Sequence, residues 1–144
     1  MAYAPITMSA AERVGFERQR SDIDYGYQQQ IVQNAGQRQF LNVQQSQAQR
    51  DLARALNRAR QQIPGQYAQR GLLRSGIYGA GLGEFEEDRI IAESRQARDF
   101  GMQRMDLTQA LSSADINRAM QMANIDLSEA QRRSAIAAIL GGAY

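Results

Sequence analysis

Apolar positions recur at helical spacing along most of this chain. Leu41, Ala48, Leu52, Leu56, Ala59 and Ile63 fall at steps of seven, four, four, three and four, and Gln45 occupies the first gap. From Leu41 to Leu52 to Ile63 the stripe advances by eleven residues, about 3.67 per turn, which belongs to a nearly straight or slightly right-handed helix contact rather than a left-handed heptad supercoil. The pattern predicts a first helical arm over residues 9–62. Ser9 and Glu12 form an S-x-x-E capping box at its start, after an extended leader over 1–8 that contains Pro5. Pro64-Gly65 is a strong stop signal at its end. Toward the N-terminus the stripe weakens into Gln30, Asn34 and Gln37. Gly15, Gly26 and Gly36 also lie in this arm; each costs roughly 1 kcal/mol against Ala, so the arm is expected to kink or break there.

A second arm is predicted over 84–140. Glu84, Glu86, Glu87 and Asp88 would fill its first turn, at the positive end of the helix dipole. Gly141-Gly142 marks its end and opens a short tail, 141–144. This arm carries two apolar stripes. Leu107, Leu111 and Ala114 form one; Ile116, Met120, Ala123, Leu127 and Ala130 form the other, and a doubled stripe implies more than one neighbour. Asp106, Asp115 and Asp126 each open a D-[LI]-[TNS]-x-A segment, but their unequal spacing reads as amphipathic helix chemistry, not a solenoid. Between the arms, residues 63–83 hold six of the twelve glycines and read as an elbow. The expected fold class is therefore all-α: two long helical arms joined by a Gly-rich elbow, as an elongated hairpin or as splayed helices, and oligomeric.

Charge favours arms lying side by side. Residues 1–62 carry eight Arg and five acids, net +3, whereas residues 84–144 carry seven Arg and ten acids, net −3. Composition adds a second constraint. Of the 144 residues 43% are apolar, yet mean hydropathy is −0.55, and much of the apolar share is Ala. An Ala buries far less than the ~1.5–3 kcal/mol worth of a fully buried Leu, Ile or Phe. A single copy would have a thin core, and partners are the natural remedy.

The absences narrow the chemistry. Cys, His, Trp and Lys are all missing, and the 17 basic residues are all Arg. Thiolate chemistry, imidazole bases and ligands, Schiff bases and a P-loop lysine are thereby removed. Gln, with 20 copies, hydrogen-bonds across helix contacts without carrying charge. The N-terminal residues lack the basic-then-apolar pattern of a secretory signal, and no 18-residue apolar stretch is present; the run Ala135 to Leu140 is far shorter.

Three clusters invite a functional reading. Gly71 and Gly76 are spaced like a phosphate loop, but the Lys-Ser/Thr pair and the preceding strand are missing, so a flexible or tightly turned tip is the better reading. Around it, Arg70, Leu72, Leu73, Arg74 and Tyr78 suit a docking tip, since Arg and Tyr are enriched at interface hot spots; a solvated loop is the alternative. The Glu84–Asp88 acids are better explained by the helix start than by catalysis or a metal. Arg50, Arg54 and Arg58 lie on one helix face and could track phosphates, or stand as a solvated face or one paired with the acidic arm. No catalytic, cofactor or metal residue is expected. The expected assembly contacts are Leu41, Leu52, Leu56 and Ile63 on the first arm, Leu107, Ile116, Met120 and Leu127 on the second, and the tip.

Two Gln/Ala/Arg-rich arms around a Gly-Ser elbow resemble the small helical virion structural proteins of tailed bacteriophages. The resemblance rests on residues 44–62, on the elbow Arg70-Gly71-Leu72-Leu73-Arg74-Ser75-Gly76, and on residues 99–131. It implies a non-enzymatic component of the internal (ejection) class, or of the head–tail or tail class, made in the host cytoplasm and carried in the virion. Its partners would be further copies and portal, connector or tail proteins, close to packaged DNA. Ala135 to Leu140 could touch a membrane on release, although packing on a neighbour explains that run more simply. Outside the virion, the same composition would suit a cellular helical adaptor or a nucleic-acid-binding helical protein.

Overall fold

The computed structural model describes residues 7–71 and 76–142. They form two helices, α1 (Ala10–Gln69) and α2 (Gly76–Gly141), with no strand among the described residues. The all-α expectation holds, with both helices longer at the elbow than the sequence pattern suggests.

The start of α1 follows its capping box. The Ser9 amide donates to Glu12 Oε2 at 3.0 Å, and the Glu12 amide donates to Ser9 Oγ at 3.1 Å. Two of the helix's otherwise orphaned amides are satisfied reciprocally. The helix then runs without interruption through Gly15, Gly26, Gly36 and Pro64. Pro64 is no stop. Its fixed φ suits a helix; its missing backbone donor and the crowding of its ring against the carbonyl one turn back together cost roughly 3 kcal/mol. The helix ends instead at Gly71, whose φ of 70° turns the chain out of the right-handed region. The Arg70 and Gly71 amides close the last turn on the carbonyls of Tyr67 and Ala68.

Tertiary contact explains the extension past Pro64. The Tyr67 and Tyr78 rings meet edge-to-face, centroids 5.3 Å apart and planes inclined by 73°. Such pairs contribute about 0.5–1.5 kcal/mol beyond area burial. The Tyr67 phenol also lies over Gly81, in space that a side chain there would occupy. The glycines of 76–83 are therefore helix, not loop, and Gly81 lets Tyr67 approach. Because α2 begins at Gly76, Glu84, Glu86, Glu87 and Asp88 lie two or more turns in and have no helix start to complement. Glu86 instead pairs with Arg89 at 2.9 Å, one turn on.

The chain divides into two units, Met1–Ala35 with Thr108–Tyr144, and Gly36–Leu107. In each, a segment of α1 packs antiparallel on a segment of α2, which selects paired over splayed arms. In the second unit Leu41 is buried, and Gln45, Ala48, Leu52, Leu56, Ala59, Ile63 and Tyr67 follow it half-buried at steps of four and three. This is the stripe seen in the sequence. In the first unit the α1 seam runs through Glu12, Phe16, Arg20, Ile23, Tyr27 and Ile31 to buried Asn34; Gln30 is exposed. Glu12, Ile23 and Asn34 in this unit, and Gln45, Leu56 and Tyr67 in the other, share the eleven-residue step. On α2 the seam includes Leu107, Leu111, buried Ala114, Arg118, Met122, Ile125, Glu129 and buried Ile136. No described side chain is fully buried, so each unit holds a narrow line of contact.

Replacing Pro64 by Ala should restore a backbone donor and raise unfolding free energy by up to about 3 kcal/mol in urea denaturation, with helix content preserved. A helix that stopped at Pro64 would show no such gain. Gly79→Ala and Gly83→Ala, which meet nothing within 4 Å, should each add roughly 1 kcal/mol, whereas Gly81→Ala should fail to gain it because the methyl group displaces Tyr67.

Candidate assembly interface

The first unit is joined by a ladder of charged and hydroxyl side chains. Arg132 Nε and Nη2 both reach Glu12 Oε1, at 2.8 and 2.7 Å. Arg20 Nη2 reaches Asp126 Oδ1 at 2.8 Å and also contacts Glu129. Arg118 reaches Asp24 Oδ1 at 2.7 Å, and its guanidinium carbon stands 5.1 Å from the centre of the Tyr27 ring. The Tyr27 hydroxyl donates to Asp115. Arg133 closes the series on Glu129, one turn away along α2. The planar guanidinium, with several donors, suits this bridging. In the second unit Arg104 donates to Asn42 Oδ1 at 2.9 Å and to Gln45.

These contacts shift the titration of their members. The Ser9 amide, and then Arg132, hold the Glu12 carboxyl below its ordinary value. Arg20, with help from Arg133, does the same for Glu129. The hydrogen bond to Asp115, followed by desolvation, pushes the Tyr27 phenol up.

The pairing does not follow bulk charge. Within the first unit, acids of α1 meet Arg of α2 and Arg20 of α1 meets acids of α2. Arg50, Arg54 and Arg58 are exposed on the side of α1 opposite the seam of the second unit, and no ion pair engages them among the described residues. Of the readings open for that face, its pairing with the acidic arm is not seen among the described residues.

The other predicted residues fall into three groups. Leu41, Leu52, Leu56, Ile63, Tyr78 and Leu107 lie on the seam between the helices of their own unit. Ile116, Met120 and Leu127 are 60%, 60% and 58% exposed, on the opposite side of α2. Arg70 is exposed at the end of α1, and Leu72, Leu73 and Arg74 lie outside the described residues. The apolar pattern alone does not point to the ladder, although the sequence carries a signal for it. Advancing from Leu107 by eleven residues reaches Arg118 and then Glu129, so a search restricted to apolar residues loses the stripe where it turns polar.

Grooves along the two pairs are open and shallow; one is lined by Met8, Arg13, Ile136 and Leu140, another by Gln45, Leu52, Glu93 and Gln96. Among the described residues no three potential ligands gather as a metal site, and no helix is long and apolar enough to cross a membrane. Compared with protein-family models, with curated proteins and with solved structures, the chain matches none of them.

The titration shifts predict a stability plateau with two limbs. The depressed carboxyls stabilise the fold fully above their unfolded value near 4.5, and that contribution disappears as pH falls through the lower folded values. Tyr27 stabilises below about 10.0, and its contribution disappears as pH rises through the raised value. Thermal midpoints measured across pH should fall at both ends. Glu12→Gln should flatten the acid limb and Tyr27→Phe the alkaline one; unchanged limbs would contradict the ladder.

Proposed function

We propose that this chain is a non-enzymatic structural component of a tailed-phage virion. It serves as an internal (ejection) or head–tail apparatus protein that assembles through its long helices around the portal–tail axis and assists genome delivery. The observation that carries the reading is an imbalance in α2. Among its described residues only Ala114 and Ile136 are buried, while Ile90, Ile91, Met102, Met105, Ile116, Met120 and Leu127 are 47–69% exposed. Apolar side chains repeated along one helix at that exposure belong to a protein that is completed by neighbours. The doubled stripe, the Gln-rich uncharged stretches and the resemblance of the arms and elbow to virion helical proteins support the phage setting. Portal, connector and tail proteins, besides further copies, are the partners this reading names.

Mass spectrometry of purified particles, full and emptied, tests it. Peptides of this chain present in full particles and lost with the DNA identify an ejected internal protein. Retention in the emptied shell identifies a fixed connector or the small tail-associated alternative. Absence from both overturns the virion reading in favour of a cellular helical adaptor.

The exposed Arg50, Arg54 and Arg58, lacking an ion-pair partner among the described residues, favour a second reading in which this face meets packaged DNA. Three phosphate contacts would give a slope of about −3 in log affinity against log salt. Replacing all three by Gln should abolish that slope, and salt-independent binding would exclude the contact.

A further inference from the structure

From Thr108 onward the charges of α2 are distributed the wrong way round for a helix that faces water. Between Thr108 and Gly142 it has six charged side chains: Asp115, Arg118, Asp126, Glu129, Arg132 and Arg133. Five bond to α1 of the same unit and the sixth bonds to Glu129. The opposite face has none. It presents Ile116, Met120, Ala123, Leu127, Ala130 and Ala138, every one exposed, with Ser, Thr, Asn and Gln between them. On α1 of the same unit the order is the usual one, for Arg13, Glu17, Arg18 and Asp22 are exposed and join no ion pair among the described residues.

We propose that this uncharged face of α2 packs against the same face of a second copy of the chain, antiparallel, about a two-fold axis near Ala123. The inference rests on the assembly reading above and identifies the surface and the occupant. Three features select a second copy. A face without charge meets itself without like-charge repulsion, and an isologous contact demands that self-complementarity. Ile116 and Leu127 repeat at the eleven-residue step of the intramolecular seam, so a partner must carry the same period to stay aligned over several turns, and α2 itself carries it. The segment 108–138 offers a strip about 45 Å long and about 10 Å wide. Its accessible surface, larger than that footprint, is on the scale of the roughly 800 Å² per partner buried in a stable specific interface. The antiparallel direction follows from side-chain size. It sets Ile116 opposite Ala130 and Met120 opposite Leu127, with Ala123 meeting Ala123, so a large residue faces a small one across each end. A parallel pair would instead set Ile116 on Ile116 and Ala130 on Ala130, so that neither end matches a large residue with a small one.

The chain has no Cys, so one introduced thiol reports its own surroundings. Ala123→Cys in the full chain should form a disulfide-linked dimer under mild oxidation, whereas Ala130→Cys alone should not. Wild-type chain should sediment as a dimer or a multiple of it, unaffected by high salt. Leu127→Asp should return it to monomer with its helical circular dichroism retained, because Leu127 is 58% exposed on the side of α2 away from α1. A monomer mass at all concentrations, a dimer that survives Leu127→Asp, or equal cross-linking at positions 123 and 130 would overturn the proposal. A monomeric chain nevertheless found in phage particles would remove this contact and leave the virion reading standing.

Discussion

A helix can lie along a neighbour for many turns only if its contact residues return to the same side. Here they return every eleven residues, in both units, on both helices. The step is close to the natural pitch of an α-helix, so the seam stays in line with little supercoiling. It also keeps the seam narrow. Three or four residues in eleven touch the partner, most of them remain half-exposed, and none of the described side chains is fully buried. The two helices are therefore held by length of contact rather than by depth of core.

A narrow seam leaves room for polar groups beside it, and the first unit uses that room for its charged ladder. Half-exposed ion pairs add little stability, because water already solvates both partners and the long side chains must be ordered. Their consequence lies in where the charges are spent. Arg118, Asp126, Glu129 and Arg132 are turned toward α1, and from Thr108 to Gly142 the far side of α2 is left uncharged. That partition gives this part of α2 two faces of different character: one joined to α1 by salt bridges, the other uncharged and exposed.

The fold class and both α2 stripes were legible in the sequence because helical periodicity is a local property. The stripe from Leu41 to Ile63 reappears residue for residue on the seam. The elbow reads as a loop because Pro64, Gly76, Gly79, Gly81 and Gly83 are judged locally as breakers, while the edge-to-face contact of Tyr67 with Tyr78 and its approach to Gly81 join residues that are separated in sequence. Bulk charge misled for a related reason: arms of opposite net sign suggested one-way pairing, whereas each contact is decided by the residues that face each other. Arg20 and Glu12, on the same helix, pair in opposite senses. The candidate site was half visible. Ile116, Met120 and Leu127 could be placed on one stripe, but which stripe faces α1 depends on the ladder, and ladder residues are polar.

In the proposed two-fold contact, the uncharged face of α2 is covered by another chain when the protein is assembled. Methionine oxidation reports this directly, since Met120 lies on that face, 60% exposed, and Met122 lies half-buried on the seam. Under dilute peroxide Met122 should react slowly at every protein concentration. Met120 should react fast when the chain is dilute and become protected as concentration rises. A Met120 oxidation rate independent of concentration would contradict that contact.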